Sequence, residues 1–200
     1  MGAERSFLTQ EGANPGPLGV ILAGGASTRM GVDKALVVLR GEPLVTHAAR
    51  ALEAVCGEVV VVGREGTLAG IECVPDDRLG PLGPAAGVAT ALRVSEGRPV
   101  LVVAVDQPFL RVETLAGLAR QDRTTVPHDE VLQITCALYT PDVFDAVSRA
   151  VADGVPLWKA VKAGALIIDE PEWRSWGEDG RSWFSVDTPA ALAEGLVRFG

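Results

Sequence analysis

From Leu18 onward the chain alternates short apolar runs with amphipathic stretches. Leu18–Ala23 and the four valines Val59–Val62 have the length and apolar content of buried parallel strands. In Leu44–Cys56, by contrast, apolar residues recur at the spacing of one helix face. Strands that alternate with helices in this way predict an α/β fold, in which a mostly parallel sheet is covered by helices on both faces.

The alternation continues through the rest of the chain, which at 200 residues can bury one core without disulfides or a structural metal. Residues 1–17 are polar and show no periodicity, so we expect a flexible tail there and a single domain over residues 18–200. The further predicted strands are Ile71–Val74, Pro99–Val105 and Val131–Tyr139, and the further predicted helices are Ala85–Val94, Thr114–Ala119, Pro141–Val151, Pro156–Ala163 and Thr188–Val197.

Composition narrows the class of protein. The chain has 18 basic and 26 acidic residues and a net charge of −8, which argues against a nucleic-acid-binding surface. Its apolar runs are strand-sized and far shorter than the ~20 residues of a membrane span. The three cysteines form no CxxC pair, and no signal peptide is visible, so we expect reduced thiols and a cytoplasmic protein.

The first candidate site is the segment 22–34, which reads LAGGASTRMGVDK. Glycines directly after a strand let backbone N–H groups approach phosphate oxygens. Arg29 adds a planar fork of donors, and Lys34, one of three lysines in the chain, adds a mobile charge. The segment is neither a Walker A loop nor a GxGxxG loop. It is nevertheless suited to holding a triphosphate.

This segment, with Gly41-Glu42-Pro43-Leu44, resembles the LAGGxSxRMGxDKxLxxxxGxPL signature of molybdenum cofactor guanylyltransferases. The resemblance implies a nucleotide-diphospho-sugar transferase type of three-layer, Rossmann-like fold. It also implies GMP transfer from GTP to molybdenum-molybdopterin, with molybdoenzymes or other cofactor-biosynthesis proteins as candidate partners. The GTP-binding residues that it implies in this segment are Leu22, Ala23, Gly24, Gly25, Arg29 and Lys34.

Two acidic residues are candidate ligands of Mg²⁺, which prefers carboxylate and phosphate oxygens. Asp106 ends an apolar strand and resembles the magnesium-binding aspartate of the family. Asp187, in a segment that resembles the family's closing NVDTPEDL element, is a candidate second ligand. Both positions are also compatible with a helix N-cap, and next to Asp187 the residue Thr188 could cap the last helix instead.

The segment 76–87 resembles the family element D…GPLAGI. The resemblance makes Asp76 a ligand of the guanine or the ribose, and a carboxylate can accept hydrogen bonds from guanine N1–H and the 2-amino group. Two stretches of glycine and proline fit the element in part, and the spacing to the next helix favours the one that begins at Gly83.

The sequence does not assign a ligand-binding role to three further features. The strand Val59–Val62 often ends in an asparagine in the family, but Gly63-Arg64 follows it here, so no ligand is assigned there. Four tryptophans in the last quarter favour packing over an acceptor pocket for a pterin. The two histidines lack cysteine partners and suggest no zinc site.

Two alternative functions also remain. One is a cytidylyltransferase, or another nucleotidyltransferase of the same fold acting on a sugar phosphate or small-molecule phosphate. The other is a non-catalytic nucleotide-sensing domain. Gly24-Gly25 followed by Asp33-Lys34 favours the guanylyl branch, and the presence of both Lys34 and Asp106 counts against a sensor.

Overall fold

The computed structural model describes residues 16–24, 33–76 and 83–200. No helix in these ranges is long and apolar enough to cross a lipid bilayer. The strands are β1 (Leu18–Leu22), β2 (Val38–Leu39), β3 (Glu42–Pro43), β4 (Val59–Val62), β5 (Gly66–Leu68), β6 (Ile71–Val74), β7 (Val100–Ala104), β8 (Thr125–Asp129), β9 (Val131–Leu132), β10 (Cys136–Tyr139) and β11 (Leu166–Ile168). The α-helices are α1 (Leu44–Glu53), α2 (Pro84–Val94), α3 (Val112–Ala119), α4 (Phe144–Asp153), α5 (Leu157–Val161), α6 (Glu170–Ser175) and α7 (Pro189–Phe199).

In the described part of the chain, the strands of the main sheet follow the order β11-β8-β10-β7-β1-β4-β6-β5, with β9 paired to β8. The central strand β1 runs parallel to both β4 and β7. The pairs β4–β6 and β8–β11 are also parallel, whereas β10 lies antiparallel between β7 and β8. The predicted α/β fold with a mostly parallel sheet is therefore confirmed.

Alternate residues of β1 pack into different cores, because successive side chains of a strand point to opposite faces. Val20 belongs to the core under α2 and α4, which includes Val88 and Val147. Ile21 belongs to the core under α1 and α3, which includes Leu52 and Leu115. The sheet is thus the middle of three layers, as the resemblance implied.

The second half of the sheet departs from the predicted pattern. Val131–Tyr139 was expected as one strand, but it forms β9 and β10, separated by residues 133–135. The strands β8 and β11 were not predicted. Pro127 lies inside β8, where it lacks an N–H donor but its carbonyl accepts from Gln133 N at 2.8 Å. Pro127 and the polar residues His128 and Asp129 interrupt the apolar pattern by which β8 could be recognised in the sequence.

The three cysteines are free thiols in the interior of the protein. Cys56, Cys73 and Cys136 are all buried and unpaired. Burial raises the pKa of the Cys56 thiol to about 12 and that of the Cys136 thiol further. Since the thiolate is the reactive form, neither thiol is activated for chemistry.

Candidate functional site

The carboxyl ends of β1, β4 and β7 meet at one edge of the sheet and border a cleft of about 250 Å³. In doubly wound sheets ligands bind at this edge. The structure brings six of the sequence-predicted residues to the cleft wall. These are Leu22, Ala23, Gly24, Lys34, Gly83 and Asp106.

Lys34 links the carboxylates of Asp106 and Asp187. Its Nζ donates to Asp106 Oδ2 at 3.1 Å and also to Asp187 Oδ1. Burial alone would lower the pKa of Lys34, but the hydrogen bonds to Asp187 and Asp106 outweigh it, and the pKa is raised. The ammonium therefore stays protonated at neutral pH, so it can act as a fixed cation but not as a base.

Backbone contacts bring Asp187 to Asp106 across 81 residues of sequence. The N–H of Val186 donates to the carbonyl oxygen of Asp106 at 2.8 Å, which positions the next residue beside the end of β7. Thr188 caps α7, since its Oγ1 accepts from Ala191 N at 3.1 Å. The carboxylate of Asp187 is thus directed to Lys34, and the cap assignment left open by the sequence falls on Thr188.

Asp106 is held by the turn that follows β7. The next residue, Gln107, is buried, and its Oε1 accepts from Ala104 N at 3.0 Å. Its Nε2 donates to Thr135 Oγ1 at 3.3 Å, so the turn is tied to the start of β10. The alternative helix N-cap role does not apply to Asp106, because α3 begins later, at Val112 after Arg111.

Arg64 is a cleft residue that the sequence did not reveal. It lines the same cleft and follows β4. Its Nε donates to the carbonyl oxygen of Ala23 at 3.1 Å, and its two terminal nitrogens pair with the carboxylate of Asp33. The side-chain hydrogen bond from Arg64 is the main reason why the pKa of Asp33 is lowered. Arg64 thus links Ala23, which precedes Gly24, to Asp33, which precedes Lys34.

Two glycine backbones touch beside this arginine. Gly63 has φ +100°, and a Cβ added there would clash with Gly24 Cα. A Cβ added to Gly24 would meet Asp76 Oδ2 at 3.0 Å. Gly24 therefore lets the ends of β1, β4 and β6 approach one another, and it brings the predicted Asp76 next to the cleft.

Replacing Gly63 by alanine is expected to destabilise the protein by about 3 kcal/mol or more. The left-handed backbone costs about 1–2 kcal/mol, and the contact with Gly24 adds strain that two backbones cannot relieve. Chemical denaturation measures the loss. Gly70→Ala is the matched control, because Gly70 has φ +84° and open space around it. Equal losses for both variants would show that the Gly63–Gly24 contact is unimportant.

The amino end of α2 also faces the cleft. Gly83 precedes the helix with φ +61°, and Gly83 and Pro84 both line the cleft wall. The first N–H groups of a helix have no partner within the helix and favour a negative charge. This arrangement agrees with the choice of Gly83 as the start of the matching element.

Part of the predicted site lies outside the described residues. Gly25 and Arg29 belong to the stretch 25–32, and the first half of the glycine- and proline-rich element lies in the stretch 77–82. The described residues on either side of both stretches, Gly24, Asp33, Asp76 and Gly83, lie at the same edge of the sheet.

The carboxylates fit a divalent cation that arrives with a phosphate ligand. Asp106 and Asp187 both contact one nitrogen atom, so a single cation can contact both. Within the described ranges, no group of three or more histidine, cysteine or acidic side chains forms a metal site. Two carboxylates suit Mg²⁺, which is commonly bound by one or two carboxylates together with substrate phosphates.

The fold and this cleft place the chain among the α/β proteins that bind phosphorylated ligands beyond the carboxyl ends of their strands. Residues 19–165 match the family model described as "MobA-like NTP transferase domain". The chain belongs to this family of nucleotidyltransferases, and the resemblance drawn from its sequence is confirmed.

Known proteins agree with this assignment. A protein of Pelotomaculum thermopropionicum named "probable molybdenum cofactor guanylyltransferase" is 32% identical over 193 residues, which cover 90% of this chain and 91% of that protein. The crystal structure of molybdopterin-guanine dinucleotide biosynthesis protein A from Archaeoglobus fulgidus has a TM-score of 0.77 at 22% identity, covering 89% of this chain and 96% of that one. A Mycobacterium tuberculosis protein solved in complex with manganese has a TM-score of 0.58 at 19% identity, covering 78% and 89%.

Proposed function

We propose that this protein transfers GMP from GTP to the phosphate of molybdenum-molybdopterin. Pyrophosphate is released, and the guanine dinucleotide form of the cofactor is the product. The observation that carries the proposal is the Lys34–Asp106–Asp187 cluster, which lies beside Gly24 at the ligand-binding edge of the sheet. Relatives named "probable molybdenum cofactor guanylyltransferase" support the choice of substrates.

In the proposed reaction, an oxygen of the acceptor phosphate attacks the α-phosphorus of GTP in line. The bond between the α-phosphorus and the bridging oxygen breaks, and that oxygen leaves with pyrophosphate. The protein contributes position and charge to such a transfer, since no covalent intermediate is needed. Backbone N–H groups near Gly24 and at the start of α2 bind phosphate oxygens, and Lys34 stabilises the charge that develops on the leaving group.

Mg²⁺ is the cofactor that we propose, with Asp106 and Asp187 as its protein ligands. When bound there it would neutralise phosphate oxygens and make the α-phosphorus more reactive. In the structure the ammonium of Lys34 compensates the charges of the two carboxylates. Without the positive charge of Lys34, the two carboxylates would repel each other and the triphosphate. Lys34 therefore makes the cleft more favourable for an anion.

Asp76 is proposed to select guanine. Its carboxylate lies next to Gly24 and is half-buried. A carboxylate there can accept from both N1–H and the 2-amino group of guanine, whereas cytosine and adenine lack this pair of donors. Asp76→Asn would keep the size of the side chain but offer a single acceptor oxygen.

Pyrophosphate release with different nucleotides tests the proposal. The protein is incubated with molybdenum-molybdopterin, Mg²⁺ and either GTP, CTP or ATP, and kcat/KM is compared. We expect GTP to be preferred by at least about tenfold. Preference for CTP would assign the chain to the cytidylyl branch. Binding of GTP without pyrophosphate release, with molybdenum-molybdopterin or with sugar phosphates, would identify a nucleotide sensor.

Arg64→Ala is expected to weaken GTP binding by about tenfold, because Arg64 fixes the positions of Ala23 and Asp33 on either side of the predicted phosphate-binding loop. Calorimetric titration with GTP and Mg²⁺ measures the change. Asp33→Asn should weaken binding by a similar factor, and the double variant should be little worse than either single one. Additive losses would mean that the Arg64–Asp33 pair does not act as a unit.

We further propose a reducing compartment, the cytoplasm, as the location of the protein. Its three cysteines are unpaired and buried, which fits such a compartment. Molybdoenzymes and other proteins of cofactor biosynthesis are the candidate partners, since the product must be handed on.

A further inference from the structure

A second cleft, of about 620 Å³, opens along the same edge of the sheet. It is formed by the ends of β8 and β11, by the β8–β9 turn and by α5. The transfer reaction proposed for the first cleft does not involve this second cleft. Its volume is ample for a bicyclic ring system.

The two clefts are neighbours. β8 runs in the same direction as β7, because both lie antiparallel to β10, which separates them. Neighbouring strands are about 4.8 Å apart, so the ends of β7 and β8 lie about 10 Å from each other. Ile134 lines the second cleft, and Thr135, the next residue, lines the first and accepts from Gln107 beside Asp106.

The walls of the second cleft combine an aromatic ring, aliphatic side chains and charges. The Trp158 side chain is 40% exposed, and the Lys162 Nζ lies 5.9 Å from its ring centroid. Ile134 and Ile167 supply aliphatic surface, and Glu130 supplies a carboxylate. An exposed tryptophan with a nearby cation is a surface on which a flat heteroaromatic ring can stack.

We infer that this cleft binds the pterin ring of the acceptor and thereby places the acceptor phosphate at the first cleft. This inference rests on the proposed function. The ring stacks on Trp158, its carbonyl oxygen accepts from Lys162, and its amino group donates to Glu130. Because the ends of β7 and β8 are about 10 Å apart, one small molecule can place its phosphate at Asp106 and its ring beyond β10.

The test is a direct binding measurement with molybdenum-molybdopterin in the absence of GTP. Equilibrium dialysis is performed on the wild type and on the Trp158→Ala, Trp158→Phe, Lys162→Ala and Lys159→Ala variants. Trp158→Ala is expected to raise Kd about tenfold, since stacking of a base on an aromatic side chain contributes about that factor or more. Trp158→Phe should restore most of the affinity.

Lys162→Ala and Lys159→Ala are a matched pair of test and control variants. Both lie near the Trp158 ring, at 5.4 Å for Lys159 and 5.9 Å for Lys162, but of the two Lys162 lines the cleft. Lys162→Ala should therefore weaken acceptor binding by about threefold to tenfold, and Lys159→Ala should leave it unchanged. In turnover assays the same variants should raise KM for the acceptor while the Kd of GTP stays constant.

The outcomes separate the two proposals. Tight acceptor binding that depends on Trp158, without turnover of any nucleotide, would uphold the second cleft and reject the proposed transfer. Turnover with wild-type acceptor affinity in Trp158→Ala would reject the second cleft and uphold the transfer. Dissociation of a dimer by Trp158→Ala, with acceptor affinity unchanged, would assign the cleft to a subunit interface and overturn the inference.

Discussion

Replacing Lys34 by alanine is expected to lower kcat by about 100- to 1,000-fold, the loss typical of removing one group that stabilises developing charge. The variant leaves Asp106 and Asp187 facing each other without the cation that joins them in the structure. Their mutual repulsion should also weaken GTP binding, so KM should rise. Steady-state pyrophosphate release measures both parameters.

The control for Lys34→Ala is Lys159→Ala, which removes an exposed lysine elsewhere on the protein. Thermal unfolding should show a much smaller effect of Lys34→Ala on stability than on rate, because the Lys34 side chain lies in a cleft and not in a core. Loss of rate in proportion to loss of folded protein would contradict a role in the reaction.

The pH dependence gives a second check on Lys34. Its pKa is raised above 10.5, so the stabilisation from its ion pairs is fully present below that value and is lost only as the pH rises through the raised pKa. The ratio of wild-type to variant kcat should therefore be the same at pH 6 and pH 9. A ratio that falls steeply across this interval would show that Lys34 loses its proton there.

The second large effect is expected for Asp106→Asn. Asparagine keeps the size of the side chain and one acceptor oxygen, but it removes the negative charge that a divalent cation requires. We expect kcat to fall by about 100-fold or more, and the Mg²⁺ concentration for half-maximal rate to increase. Titration of the rate with Mg²⁺ measures both changes.

Asp122→Asn is the matched control, because Asp122 is a highly exposed carboxylate that contacts Arg123 at 3.6 Å. It should leave the Mg²⁺ dependence unchanged. Asp187→Asn should give a smaller increase in the Mg²⁺ requirement than Asp106→Asn, since the Asp187 side chain is more exposed, at 46% compared with 20%. An unchanged Mg²⁺ dependence in Asp106→Asn would exclude this residue as a metal ligand.

The convergence of Lys34, Asp106 and Asp187 could be expected from the sequence. Asp106 comes directly after β7, and the carboxyl ends of parallel strands share one edge of the sheet, while the family resemblance predicts Lys34 and Asp187 beside it. The strand pattern alone does not place Lys34, which lies in a short 3-10 helix, or Asp187, which is positioned by the hydrogen bond from Val186 N to the carbonyl oxygen of Asp106. The direct contact of Lys34 with both carboxylates, however, depends on side-chain positions that no spacing predicts.

Arg64 is a residue of the cleft that the sequence does not predict. A single arginine after a glycine is compatible with an exposed turn, and its partner Asp33 is 31 residues away in sequence. The family pattern has an asparagine at this stretch, and because Gly63-Arg64 stands there instead, the sequence assigns no ligand to it. A charged residue directly beyond a buried strand at the ligand edge is itself a usable signal, because it is held close to the site by the strand.

The short strands β8 and β11 were missed for a related reason. They contain five and three residues, and Pro127 and the polar residues at the end of β8 interrupt the apolar pattern. Both are recognisable mainly by their pairing partners, which the sequence does not provide. As a result the second cleft, formed by these strand ends, could not be located before the fold was known.

The position of the nucleotide and the metal ion can be observed in a crystal structure. The protein is crystallised with Mg²⁺ and a GTP analogue that has a methylene group between the α- and β-phosphates. We expect the triphosphate to lie in the first cleft, with Lys34 at its phosphates, Mg²⁺ on Asp106, and the guanine towards Asp76. A nucleotide bound beside Trp158, or a metal ion bound away from Asp106, would contradict this expectation.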